Sequence, residues 1–426
     1  MVIYTVRQGD SIYSIGRRLG VPPQKIIDDN MLQNPEQLAV GQVLVVAVDQ
    51  IRHTVAPGES LFGIARRYGT TVAQILEANP DITNPAAIYP GQSVVVPVPD
   101  RKLGNIDVNG YAFPSISQST LRNTLPHLTF ISPFSYQVRA NGSLVPLNDA
   151  AIIEAARAQR VAPLMVITNI LEGGSFDSEL ASAVLNSEQA VSAVLDNVVQ
   201  TIQSKNYTGL DIDFEYIYPS DREAYNRFVQ RAVDRLHPLG YTVTTALAPK
   251  ISADQRGLLY EAHDYAFHGA TVDHIILMTY EWGYTYSPPR AVAPVNLVEE
   301  VLQYAVTEIP SRKILMGIPN YGYNWTLPFV QGSAARTISH TAAVNLALRE
   351  GAQIMFDTEA QSPFFNYFDE QGREHEVWFE DARSIEAKLM LVDRHNLGGV
   401  SYWTVNSFFP QNWLVLESMY NVNKVL

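Results

Sequence analysis

The chain contains no cysteine. That excludes disulfide staples, thiolate nucleophiles and thiolate metal sites, while leaving the compartment open. No apolar run reaches the roughly 18 residues that a membrane-spanning helix needs, so membrane insertion of that kind is excluded. Charge is sparse at 17% of residues, and cations are in deficit: 30 Lys and Arg face 43 Asp and Glu, a net −13. Nucleic acid and anionic lipid are therefore poor partners. A neutral glycan, read by hydrogen bonds and stacking, suits the chain better than a polyanion. The start, Met1-Val2-Ile3-Tyr4-Thr5-Val6-Arg7, lacks the basic and apolar segments of a secretory signal. The expectation is a chain that either begins after processing or reaches its substrate outside the general secretion route.

What is present is a large core with additional modules: 426 residues, 46% of them hydrophobic. Residues 1–99 carry 7 basic and 8 acidic side chains, so the acidity belongs to the C-terminal part. An internal repeat organises the N-terminus. Tyr4-Thr5-Val6-Arg7-Gln8-Gly9-Asp10-Ser11-Ile12 recurs as His53-Thr54-Val55-Ala56-Pro57-Gly58-Glu59-Ser60-Leu61. The spacing persists through Arg17/Arg66, Gly20/Gly69 and Asn30/Asn79, and Gly41-Gln42 returns as Gly91-Gln92. Each copy reads as a strand, a Gly-acid turn, Ser11 or Ser60 as a helix N-cap, two helices and a Val-rich strand. These βααβ units, over residues 1–48 and 49–98, resemble LysM domains. The resemblance implies N-acetylglucosamine chains bound by Gly9, Asp10, Ser11 and Ile12 with Asn34-Pro35, and by Gly58, Glu59, Ser60 and Leu61 with Asn84-Pro85. Gly and Ser in such loops also serve simply to turn and cap the chain. Pro97 to Lys102 reads as a short, stiff boundary.

From about residue 104 to 426, strand-like runs alternate with amphipathic stretches, which predicts an α/β fold, a (β/α)8 TIM barrel. The eight candidate strands lie at 106–113, 129–133, 162–167, 209–215, 242–248, 274–280, 313–319 and 399–403. The stretch of about 325–394 is too long for one crossover helix. It predicts a small α+β insertion with a hairpin of Phe364–Phe368 and His375–Phe379.

The fourth strand, Gly209-Leu210-Asp211-Ile212-Asp213-Phe214-Glu215-Tyr216, carries the chemistry. Alternation sends Leu210, Ile212, Phe214 and Tyr216 outward under the helices and Asp211, Asp213 and Glu215 into the barrel. Three carboxylates on one buried face repel one another and resist desolvation, an arrangement expected for catalysis rather than support. Glu215, the longest and nearest the strand end, is the natural general acid, with Asp213 placed to share a proton with Asp211. A calcium site or a solvated acidic edge strand are the other readings.

This strand resembles the Asp-Gly-x-Asp-x-Asp-x-Glu signature of family 18 glycoside hydrolases, with Thr208 at the first position. The resemblance implies hydrolysis assisted by the substrate's own 2-acetamido group. Glu215 protonates the leaving oxygen and Asp213 holds the acetamido N–H. Tyr280 holds the acetamido carbonyl with Met278 beside the sugar, and Trp403 floors the site. Glu281 stands where the family commonly has Asp. Tyr111, Trp282, Asn320 and Tyr321, with Asn169, Asn324 and Trp378, are candidates for lining or flanking the groove, and Trp325 is equally a packing residue. His263, His268 and His274 read as caps or filler, and neither metal nor cofactor is called for.

Two LysM-like repeats ahead of such a barrel resemble the spore-associated peptidoglycan hydrolases of endospore-forming bacteria. That implies an N-acetylglucosaminidase at the spore coat and cortex, with spore coat proteins as further partners. A chitinase is the rival enzyme, and a non-catalytic lectin the alternative of another class.

Overall fold

The computed structural model describes residues 1–98 and 102–426, so part of the expected stiff boundary, Pro99-Asp100-Arg101, lies outside the described residues. Both N-terminal repeats fold as strand, helix, helix, strand. In the first, Val2–Thr5 pairs antiparallel with Val43–Val46 around helices Ile12–Leu19 and Pro23–Asn30. In the second, Gln50–Thr54 pairs with Ser93–Pro97 around Leu61–Arg67 and Val72–Ala78. Ser11 and Ser60 are the expected N-caps: their Oγ atoms accept from Ser14 N–H at 3.1 Å and Gly63 N–H at 3.2 Å. Each satisfies a donor that a helix start leaves open. The repeated asparagines also have one shared role. Asn30 Nδ2 donates to the Ile26 and Val45 carbonyls while its Oδ1 accepts from Val45 N–H, and Asn79 does the same with Ile75 and Val95. Each side chain ties the second helix to the closing strand.

One apolar cluster runs through both repeats, joining Ile15, Leu19 and Val46 to Ile51, Ile64 and Val96. The first repeat also packs on the large domain. Its strand Val43-Leu44-Val45-Val46 is buried on both faces: Leu44 and Val46 enter the repeats' cluster, while Val43 and Val45 enter the core of the barrel. Gln411 Nε2 donates to the Val43 carbonyl at 3.2 Å, and Ile354 N–H donates to the Val40 carbonyl at 2.9 Å. Gly41, at φ +86°, lies so close that a Cβ there would meet the Ile354 carbonyl oxygen at 1.8 Å. Only glycine permits that approach.

The large domain is the expected barrel. Eight parallel strands run Gly104–Ala112, Phe130–Pro133, Ala162–Thr168, Gly209–Asp213, Thr242–Leu247, His274–Leu277, Ile314–Pro319 and Gly399–Trp403. Each pairs with its neighbour in sequence among these eight, and the last pairs back to the first, from Gly399↔Asp107 to Tyr402↔Gly110, closing the ring. A short C-terminal strand, Tyr420–Val422, adds to the start of the first. Between the seventh and eighth strands stands an antiparallel five-stranded sheet with the helix His340–Arg349. The expected hairpin is there, Ser362–Phe368 against Glu374–Trp378. The sheet begins at Gly322 and ends at Trp378, and Ala382–Arg394 is the crossover helix into the last strand, not part of the insertion.

Candidate active site

The acidic fourth strand is shorter than alternation suggested: its pairing stops at Asp213. Up to that point the pattern holds. Leu210, Ile212 and Phe214 are buried, and Phe214 stacks on Tyr225 and Phe228 at 6.2 and 5.6 Å. Full burial of such a ring is worth about 1.5–3 kcal/mol. Beyond it the pattern fails. Tyr216 turns to φ +53° and is 41% exposed at the barrel mouth, rather than packed under the helices. A non-glycine residue in this region is costly and concentrates at functional sites. The turn is held from the adjacent strand end, where Asn169 takes over from the ladder. Its Oδ1 accepts from Glu215 N–H at 2.9 Å, and its Nδ2 donates to the Glu215 carbonyl at 2.8 Å. Asn169 is fully buried and lines no subsite; it positions the backbone of Glu215.

Behind the turn, His263 joins the ends of the fourth and fifth strands. Its Nδ1 accepts from Ala248 N–H at 2.8 Å, which leaves Nε2 to donate to the Phe214 carbonyl at 3.0 Å. Burial pushes its pKa down to about 4, so it stays neutral. His268 is likewise buried beside Thr245, with its pKa pushed down to about 3. His274 packs against Phe130. The three histidines fill, as expected.

Asp211, Asp213 and Glu215 do converge. Asp211 is fully buried, and burial lifts its carboxyl to about 7, opposed by the hydroxyls of Tyr111 and Ser132. Asp213 is held well above the usual carboxylate range by burial, then by the charges of Glu215 and Asp211. Its Oδ1 is buried without a hydrogen-bond partner among the described residues. An acceptor in that state costs about 1–3 kcal/mol until a donor arrives. Glu215 is raised to about 8 by burial and then by the negative charge of Glu281.

Asp213 and Glu215 face a cavity of about 890 Å³, lined also by Tyr111, Met278, Tyr280, Trp282 and Trp403, while Asp211 lies behind its lining. Tyr280 follows the sixth strand, and burial, then the charge of Asp213, keeps its hydroxyl protonated. Trp403 ends the eighth strand and is held by Tyr111, Phe113 and Phe134, with ring centroids 5.3, 5.7 and 4.8 Å away. A second cleft of about 410 Å³ shares Trp403 and Glu281 and adds Asn320 and Tyr321. Glu281, at φ +69°, accepts from the hydroxyls of Tyr321 and Tyr323. Asn320 reaches this cleft with its amide already committed, Nδ2 donating to the Thr404 and Ser407 carbonyls at 2.8 and 2.7 Å.

Three candidates belong elsewhere. Trp378 stacks on Phe364 at 4.6 Å inside the insertion. Asn324 bonds to Tyr367 and His375, and Trp325 is buried with its Nε1 donating to the Ser287 carbonyl at 2.7 Å. Sequence reasoning missed the lining residues Phe134, Phe176, Tyr260 and Tyr284. Phe134 directly follows the second strand and was open to the strand-end argument; the others come from loops with no periodic signal.

In the repeats, Gly9 and Gly58 turn the chain at φ +82° and +81°. Ile12 and Leu61 are buried, and Ser11 and Ser60 cap their helices. Asp10 accepts from Tyr4 Oη at 2.7 Å and Arg7 N–H at 2.9 Å, and Glu59 accepts from Ala56 N–H at 2.9 Å. Among the described residues no helix is long and apolar enough to cross a membrane.

Residues 112–407 match the model of the glycosyl hydrolases family 18, and residues 4–47 and 53–97 each match the LysM domain. The chain is similar to the cortical fragment-lytic enzyme of Bacillus subtilis, with 42% identity covering 100% of this chain and 99% of that one. It superposes on the spore cortex-lytic enzyme SleL of Bacillus megaterium with a TM-score of 0.89 and 40% identity, covering 100% of this chain and 99% of the other. A chitinase from Chromobacterium violaceum matches at TM-score 0.68 and 26% identity, over 74% of this chain and 98% of its own.

Proposed function

This chain belongs to the glycosyl hydrolases family 18 and is a glycosidase, and on that premise we propose that it is a retaining N-acetylglucosaminidase acting on spore cortex peptidoglycan or its fragments during germination. The observation that carries the reading is the pairing of Glu215, raised to about 8, with a buried, unpartnered oxygen of Asp213. At neutral pH Glu215 holds a proton to give to the glycosidic oxygen, which is what a general acid requires. Asp213 offers an acceptor to an N–H, and the 2-acetamido group of the substrate supplies one.

The remaining carboxylate of the cavity, Glu281, is tied to two tyrosine hydroxyls. This supports a route in which the acetamido oxygen attacks the anomeric carbon, an exception to the usual two-carboxylate scheme. Asp213 orients the N–H and stabilises the cyclic cation, Tyr280 donates to the acetamido oxygen, and Glu215 then takes a proton from the attacking water. Trp403 presents an indole to the distorted sugar and excludes water. The second cleft continues the groove past Trp403 and fits a chain longer than one sugar. Gly9 to Ser11 and Gly58 to Ser60 would hold N-acetylglucosamine residues at the repeats, whereas Ile12 and Leu61 are taken up by the core.

Digestion of purified cortex fragments and of chitin oligomers, with mass spectrometry of the new reducing end, tests this. Reducing N-acetylglucosamine from cortex with little chitin turnover is the expected result. Rapid chitin cleavage with inert cortex would make the protein a chitinase, and turnover of neither would favour a lectin.

A further inference from the structure

A cleft of about 1040 Å³ shares no lining residue with the cavity of Asp213 and Glu215. It opens between the two repeats, and equivalent positions of both line it: Tyr4 and His53, Arg17 and Arg66, Arg18 and Arg67. With Arg7, that places five of the seven Lys and Arg residues of the first 98 positions in one cleft, in a chain of net charge −13. One arginine of each repeat is neutralised locally, Arg18 by Asp10 at 3.3 Å and Arg67 by Glu59 at 2.8 Å. His53 Nε2 lies 2.6 Å from the same Glu59. Arg7, Arg17 and Arg66 form no ion pair among the described residues and are exposed. The one other carboxylate lining the cleft is Glu386, from the crossover helix of the barrel, held up by burial and opposed by the charge of the N-terminus.

Like charges gathered with so little compensation repel one another, and that cost is recovered when an anion enters. Guanidinium forks match a planar carboxylate with two parallel hydrogen bonds. We propose that this cleft binds the free carboxylates of peptidoglycan stem peptides, through arginines that lie beside the sugar-reading loops of the repeats and share Glu59 with them. The proposal rests on the reading of the substrate as peptidoglycan, whose peptides bring carboxylates beside an otherwise uncharged N-acetylglucosamine. The acidity of the rest of the chain turns nucleic acid away. The repeats then select strands that still carry acidic peptides, and chitin, which has none, gains nothing from the cleft.

The test uses the full chain carrying Glu215→Gln, so that ligands survive the titration. Calorimetry compares three probes: muropeptides with free stem-peptide carboxylates, the same muropeptides with those carboxylates amidated, and an N-acetylglucosamine hexamer. At low salt the acidic muropeptides should bind about tenfold more tightly than the amidated ones, the lower end for hydrogen bonds to charged groups. Adding Arg17→Gln and Arg66→Gln should abolish that preference while hexamer affinity stays unchanged, and Arg17→Glu with Arg66→Glu should invert it. Equal affinity for acidic and amidated forms, or a preference that survives the arginine changes, would overturn the proposal. So would loss of hexamer affinity in parallel, or preference for a short single-stranded DNA. With Glu215 in place, failure to cleave any muropeptide would defeat the proposed activity while leaving this binding result to stand or fall by itself.

Discussion

Glu215→Gln separates chemistry from packing within one pair of measurements. The substitution keeps the size and the backbone clasp by Asn169 and removes the transferable proton. Loss of a general acid should cut turnover by about 10²–10⁴. Stability moves the other way, and its sign follows from the proton count. The pKa of Glu215 stands at about 8 against an ordinary 4.5, so the native state keeps a proton that the unfolded chain releases between those values. The wild-type protein therefore loses stability as pH rises through that window, and glutamine, with nothing to ionise, does not. Each unit of displacement is worth about 1.4 kcal/mol, so the variant should be more stable than wild type by a few kcal/mol at about pH 9 and equal to it near pH 4. Urea unfolding at the two pH values gives the difference, and mass spectrometry of released reducing ends gives the rate. A variant with native turnover would remove Glu215 from the mechanism. One with lost turnover but no pH-dependent gain would show that the carboxyl titrates normally and that burial does not hold its proton.

The acid form of Glu215 prevails below about 8, so kcat/KM should fall on the alkaline side of that value. Glu281→Gln removes the charge that helps to raise Glu215, and should move this alkaline limb to lower pH in a kcat/KM profile; an unmoved limb would cut the link between them. Asn169→Ala should lower kcat by about ten- to a hundredfold with KM little changed, because the backbone of the acid loses its clasp; a change confined to KM would return Asn169 to the role of a subsite residue. Deleting residues 1–97 uncovers the barrel surface that Val43 and Val45 cover, and should lower Tm by on the order of 5 °C; calorimetry showing an unchanged Tm would refute an integral role for the first repeat.

The parts legible in the sequence were those governed by a period. The repeat offset located two modules and their capping serines, strand-like runs alternating with amphipathic stretches located all eight strands of the ring, and the alternation of apolar and acidic residues singled out the strand of Asp211, Asp213 and Glu215. The parts that escaped were those in which a side chain substitutes for backbone. Nothing in the spacing marks Asn169 as a surrogate ladder partner or Asn320 as the anchor of the loop after Trp403, because both act on carbonyls far away in sequence. Tyr216 was misplaced for a related reason: alternation holds only while pairing continues, and pairing stops at Asp213. Asn324 stands near a strand end and Trp378 in the insertion, but both are taken up by the inserted sheet, on opposite faces: Trp378 clusters with Tyr323 and Phe364, and Asn324 bonds to Tyr367 and His375.

The same physics accounts for the attachment of the repeats. Val43-Leu44-Val45-Val46 contains no polar position, which for a two-stranded sheet with one face in water would be an exposed apolar stripe. Four consecutive buried residues therefore require a second surface, and the barrel provides it. The corresponding strand of the second repeat, Ser93-Val94-Val95-Val96-Pro97, starts with an exposed serine and buries only alternate residues deeply. It has the pattern of a strand with one partner face. One repeat is thus built into the catalytic body and the other is carried by the first. Any ligand bound between the two repeats would therefore sit on a module packed against the barrel rather than on a free tether.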